Sequence, residues 1–136
     1  MTPTENLHYA IGELAYAIAR ADGEVQKEER KKFEAIVAAE MRCKDYGFDV
    51  SDIIFKIMDR DKTSATEAYD SAMKQVRTNS HYLSPELKKA FINVIEKVAK
   101  AYSPVTIDEN SLIEKFKKDI EPINGDPVYY QKAIVK

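Results

Sequence analysis

At 136 residues the chain has the length of a single domain that can bury a core without metals or disulfides. Hydrophobic content of 44% and charged content of 32% exclude a disordered chain, and four glycines with five prolines are few for a sheet protein that turns often. The net charge of −2, from 21 basic and 23 acidic residues mixed along the chain, leaves no basic stripe for phosphates, so no nucleic-acid partner is expected.

Apolar residues recur at helical spacing almost everywhere. The polar start, residues 1–6, has neither a basic segment nor an apolar run, so no leader is expected. A first helix is predicted from about Glu5 to Ala21, capped by Thr4, with Leu7, Ile11, Leu14 and Ile18 on one face. A second starts near Gln26, buries Phe33, Ile36 and Val37, and ends around Arg42 to Gly47. Cys43, the single cysteine, cannot form an internal disulfide, which points to a reduced compartment, the cytoplasm. A third helix begins near Asp49 or Ser51 and carries Ile53, Ile54, Ile57 and Met58.

The fourth opens with Ser64-Ala65-Thr66-Glu67, a capping box in which hydroxyl and carboxylate satisfy each other's backbone donors. Its inner face is Ala68, Tyr69, Ala72, Met73 and Val76. Ser84, Pro85 and Glu86 start a fifth helix, which runs through Leu87, Phe91, Val94, Ile95 and Val98 to about Tyr102. Thr106-Ile107-Asp108-Glu109 is a second capping box, opening a sixth helix with Leu112, Ile113, Phe116 and Ile120. Beyond Pro122 a turn, Asn124-Gly125-Asp126-Pro127, precedes a tail read as a final helix in preference to an extended arm. The expectation is one all-α domain over residues 1–136, with its core at about 5–121 and residues 122–136 as a C-terminal tail or last helix. No segment reaches the roughly 18–20 apolar residues that cross a bilayer, so no membrane insertion is expected.

At an offset of 80 residues the chain nearly repeats itself. Ile11, Leu14, Ile18, Ala19, Ala21, Val25, Glu28, Glu29 and Phe33 correspond to Phe91, Val94, Val98, Ala99, Ala101, Val105, Asp108, Glu109 and Ile113. Each copy reads helix, short turn, buried valine, then a helix with acids in its first turn. Two pseudo-symmetric helical hairpins packed as a bundle follow from this frame. The copies differ in the turn itself: Asp22-Gly23-Glu24 stands where the second has Tyr102-Ser103-Pro104.

The first turn therefore carries the candidate chemistry. Asp22, Glu24, Glu28 and Glu29 place four carboxylates within eight residues. Asp22 lies at the end of a helix, where the macrodipole disfavours an acid by about 0.3–1 kcal/mol, so something positive must face it. One answer is protein: Asp22 accepts hydrogen bonds from amides of residues 25–27 and caps the next helix. The other is a divalent cation, calcium, magnesium or manganese, held by Asp22 and Glu29 with Glu24 and Glu28 in support. Calcium takes about 6–8 oxygen ligands, so these acids need help from elsewhere in the fold. The turn is not an EF-hand, because Asp22 and Glu29 are seven residues apart, against about eleven in that loop.

Ala-Asp-Gly, a valine four residues after the alanine, and a glutamate seven after the aspartate resemble the TerB-like tellurite-resistance family. Domains related to that family occur at the N-terminus of membrane-anchored J-domain co-chaperones. The duplicated frame extends the resemblance from roughly Leu7 to Ile120. It implies an all-helical bundle of about seven helices, no established catalytic activity, and acidic residues that bind metal, with Asp22 and Glu29 carried over as ligands. It also implies a stress-response setting. The second copy departs from the pattern at Tyr102 and Ser103, and the tail after Pro122 lies outside the resemblance.

Other motifs read as structure. Asp59-Arg60-Asp61-Lys62-Thr63 resembles the nucleophile motif of haloacid-dehalogenase-type phosphatases, which makes a small metal-dependent phosphate hydrolase using Asp59 and Asp61 the alternative function. That chemistry needs a loop after a buried parallel strand, and a helix end before the Ser64 cap is the expected reading. His8 and His81 lack ligand-spaced companions and are expected in surface or capping roles. Cys43 lies between Arg42 and Lys44 but has no paired histidine in sequence, so a spectator thiol is expected. A purely structural or oligomerising domain is the remaining reading, with a protein partner or a second copy of the chain as the occupant of its helical faces or tail.

Overall fold

The computed structural model describes residues 2–21, 31–32, 35–36, 45–100 and 106–134, with side chains described for all of these except 45–52 and 131–134. Among the described residues six α-helices have defined bounds, in chain order α1 (Pro3–Arg20), α2 (Asp45–Asp61), α3 (Ala65–Thr78), α4 (Pro85–Lys100), α5 (Ile107–Ile120) and α6 (Pro127–Ile134). A 3-10 turn, Ser80–Tyr82, joins α3 to α4. Residues 31, 32, 35 and 36 are also helical, and the described residues contain no strand. The all-α class and the bundle stand as expected. Of the two expected hairpins, the second is seen as α4 packed on α5, while the turn of the first lies outside the described residues.

The bundle is built around α1. Residues 10–19 of this helix are buried without exception, and it packs against α2, α3, α4 and α5. A helix that is apolar all round has no solvent face. Its bulky residues, Leu7, Ile11, Leu14, Tyr16 and Ile18, are interspersed with Ala10, Gly12, Ala15, Ala17 and Ala19, small enough to admit neighbours on the remaining sides. Each buried leucine or isoleucine contributes on the order of 1.5–3 kcal/mol against exposure. The expected single buried face thus gives way to burial on every face.

The start of α1 also differs from expectation. Thr2, not Thr4, is the cap: its hydroxyl accepts from the Glu5 amide at 3.1 Å, while Glu5 accepts from the Thr2 amide at 2.8 Å. Glu5 completes the box because it stands three residues after Thr2, and Pro3 fits the first helical position. Thr4 would have Leu7 in the reciprocal position, which has nothing to donate or accept. Helix α2 begins at Asp45, ahead of Asp49 and Ser51, so Gly47 is helical despite costing about 1 kcal/mol relative to alanine.

Where α2 ends, Lys62 adopts a positive φ of 54°. Its amide donates to the Asp59 carbonyl at 3.3 Å and the Thr63 amide to the Met58 carbonyl at 3.1 Å, the paired bonds of a Schellman C-cap. Tyr16 of α1 fastens this turn by donating its hydroxyl to the Thr63 carbonyl at 2.6 Å. Both capping boxes read from the sequence are present, Ser64 with Glu67 and Thr106 with Glu109. Ser84 accepts from the Leu87 amide at 3.1 Å as the start of α4.

The tail is helical. Lys88 of α4 fixes the chain after α5: its ammonium donates to the Glu121 carbonyl, the Ile123 carbonyl and the Asn124 side chain at 2.9, 3.0 and 3.0 Å. A cation at a helix C-terminus also complements the dipole. Gly125 then passes so close to the 3-10 turn that a β-carbon would lie 2.4 Å from the Leu83 carbonyl oxygen. The Gly125 and Asp126 amides donate to the carbonyls of Leu83 and His81 at 3.1 and 2.9 Å. Helix α6 lies on this turn, with Tyr129 stacked on His81 and edge-on to Tyr82.

Candidate functional site

Two capped helix starts and one helix end converge at one end of the bundle. Between Ala21, which ends α1, and the first turns of α3 and α5 lies a cavity of about 280 Å³. Oxygen-bearing side chains line it: Thr66 and Asp70 from α3, Asp108 and Ser111 from α5. The capping boxes at Ser64 and Thr106 set the entry of both helices and so aim these four groups. Asp108 lies in the first turn of its helix, where the dipole favours a carboxylate.

The floor of the cavity is Tyr69, almost wholly buried. Its hydroxyl donates to Asp119 at 2.6 Å, and the Lys115 ammonium lies 4.5 Å from its ring centroid. Burial pushes the phenol well above its ordinary range, and the Asp119 carboxylate adds to that shift. Tyr69 is therefore a neutral, fixed wall. Carboxylate and hydroxyl oxygens are hard donors, a set that suits calcium, magnesium or manganese better than zinc.

The sequence-predicted ligands Asp22, Glu24, Glu28 and Glu29 lie outside the described residues. Ala21 is the residue before Asp22, so the acidic turn leaves from the wall of this cavity. Among the described residues no group of three or more histidine, cysteine, aspartate or glutamate side chains could hold a metal ion by itself. Cys43 also lies outside the described residues.

Asp59 and Asp61 occupy the last turn of α2. Asp61 pairs with Arg60 at 3.0 Å, and the Schellman cap follows directly. No strand or strand-end loop carries them, so the hydrolase reading is not favoured. His81 is exposed and stacked on Tyr129, in keeping with a surface role. His8 is a correction: it is 0% exposed. Reading one buried face on α1 placed it outside, and enclosure on all sides puts it within.

Sequence reasoning missed Glu13 for the same reason. It is 1% exposed, in the middle of the most enclosed helix, and its Oε2 accepts a hydrogen bond from the Ser71 hydroxyl of α3. The available signal was a lone acid in an otherwise apolar stretch, residues 9–19.

The family model described as tellurite resistance protein TerB matches residues 8–121. The chain belongs to the TerB family. The match covers α1 to α5 and stops at the turn that leads into α6. No curated protein and no solved structure matches the chain significantly.

Proposed function

We propose that this TerB-family domain is a non-catalytic, cation-responsive module of a stress response, using the acidic turn of residues 22–29 as its active surface. The observation that carries the reading is the cavity beside Ala21, with Asp70 and Asp108 on its rim. Asp22 and Glu29 supply the principal carboxylates, with Glu24 and Glu28 in support. The oxygens of Thr66, Asp70, Asp108 and Ser111, which line the cavity with Ala21, would enlarge the shell. A bound divalent cation would neutralise the acids and tie the turn to the starts of α3 and α5. Such a change in shape and charge is what a protein partner could read.

The family's name refers to tellurite, an oxyanion. Lys115 also lines the cavity, but its charge is outnumbered by Asp70 and Asp108, so the cation is the ligand that the electrostatics favour. A cytoplasmic setting fits the single cysteine, and among the described residues no helix is long and apolar enough to cross a membrane.

The test is an amide NMR titration with calcium, magnesium, manganese and zinc in turn. Saturable shifts and manganese broadening centred on residues 22–29 are expected, spreading to Thr66, Asp70 and Asp108. Asp22→Asn and Glu29→Gln should abolish them while leaving the melting temperature unchanged. Substantial unfolding by either substitution, with no metal response in the wild type, would assign the acids to helix capping.

A further inference from the structure

The central helix carries a carboxyl group where a charge is poorly accommodated. Glu13 faces α3, and its Oε2 accepts from the Ser71 hydroxyl. Its Oε1 has no hydrogen-bond partner among the described residues. The polar groups acting on it are that hydroxyl and the Tyr9 phenol one turn back on α1. No charged side chain of α2, α3, α4 or α5 faces it among the described residues. An ionised carboxylate there would hold a full charge in apolar packing against one hydroxyl. A neutral acid removes that charge and leaves a single oxygen without a partner, which is far less costly.

We propose that Glu13 is a proton-operated latch between α1 and α3: neutral, it stays buried in their contact beside Ser71, and ionised, its charge draws water into that contact despite the Ser71 hydroxyl. Two ties between neutral groups flank it on the same pair of helices. Asn6 donates to the Asn79 side chain at 3.4 Å, and Tyr16 donates to the Thr63 carbonyl at the start of α3. These hold the ends of the contact while its middle opens to water.

Burial raises Glu13 from its ordinary 4.5 to about 7, opposed by the Ser71 hydrogen bond. In the unfolded chain the group returns to about 4.5. The stability that the neutral acid confers is thus complete below that value and lost as pH rises through about 7. Carboxylates paired with cations or amide donors act in the opposite sense, through a depressed value. The interval between the two values corresponds to a roughly 300-fold change in the folding equilibrium constant.

The experiment is a carboxyl carbon NMR titration of the full chain from about pH 5 to pH 9, with melting curves over the same range. Glu13 should titrate near 7, and the wild-type melting temperature should fall across that midpoint. Glu13→Gln should flatten the fall and melt higher than wild type at alkaline pH. Ser71→Ala should move the midpoint further up, since it removes the bond that favours the charged form. A Glu13 midpoint near 4.5 overturns the proposal, as does a Gln variant whose pH profile parallels that of the wild type. If that variant fails to fold, the wild-type titration decides alone. None of these readouts requires a metal ion, so the latch and the cation site stand or fall separately.

Discussion

Lys62 holds a backbone conformation that favours glycine, with φ at 54°. The left-handed region costs an ordinary L-residue about 1–2 kcal/mol, because its β-carbon crowds the following carbonyl. The Schellman bonds to Met58 and Asp59, with the Tyr16 hydroxyl on Thr63, hold the residue there. Lys62→Gly should therefore stabilise the protein by about 0.5–1 kcal/mol, after subtracting the favourable effect of a cation at a helix end. A denaturant midpoint that does not rise would show that the lysine side chain contributes more than the turn strains. The cap at Lys62 was legible only in outline from the sequence. A helix end before Ser64 could be read from Asp59 to Thr63, but no glycine marked the left-handed position.

Among the elements, α3 and α5 begin in the same way and differ in their surroundings. Glu67 of the first box is exposed, whereas Glu109 of the second is 5% exposed. Ser64→Ala should cost about 1 kcal/mol, the usual value of a cap. Thr106→Ala should cost about 2 kcal/mol, because it removes a partner from a carboxylate already taken out of water. Equal losses in paired melting curves would sink that distinction. Both boxes were readable because a cap involves four consecutive residues and little else. Thr2 was missed in favour of Thr4, although Glu5 offered the same signature one step earlier. The burial of His8 and Glu13 was a different failure. Helical periodicity sorts a helix into an inner and an outer face, and α1 has no outer face to find. The acidic turn itself was conspicuous in sequence, but its ligand geometry depends on what other elements bring to it. Thr66, Asp70, Asp108 and Ser111 meet beside Ala21 only because α3 and α5 start at the same end of the bundle. No spacing along the chain reveals that.

For the whole molecule, the family match and the packing divide the chain at the same place. Residues 8–121 match the TerB model, and α6 packs chiefly on the 3-10 turn. A chain ending at Pro122 should keep its helical content and unfold cooperatively. Its melting temperature should drop by about 3–8 °C, because Lys88 loses two of its three acceptors and the Leu83 carbonyl loses the Gly125 amide. Loss of cooperative unfolding would make the tail part of the folding unit. Light scattering on both versions would also register any role of the tail in pairing copies.

The enclosure of α1 has a consequence for how the protein is made. The ribosome delivers this helix ahead of the described elements that cover it, the last of them α5. Until α2 and α3 have emerged, an apolar rod with no face suited to water lacks its main cover, and the cover is complete only when α5 follows. The nascent chain is most prone to aggregate during that interval, and it is then that a chaperone has most to hold. Slowing translation past the first helix should lower soluble yield, whereas the same delay placed after Pro122 should be harmless.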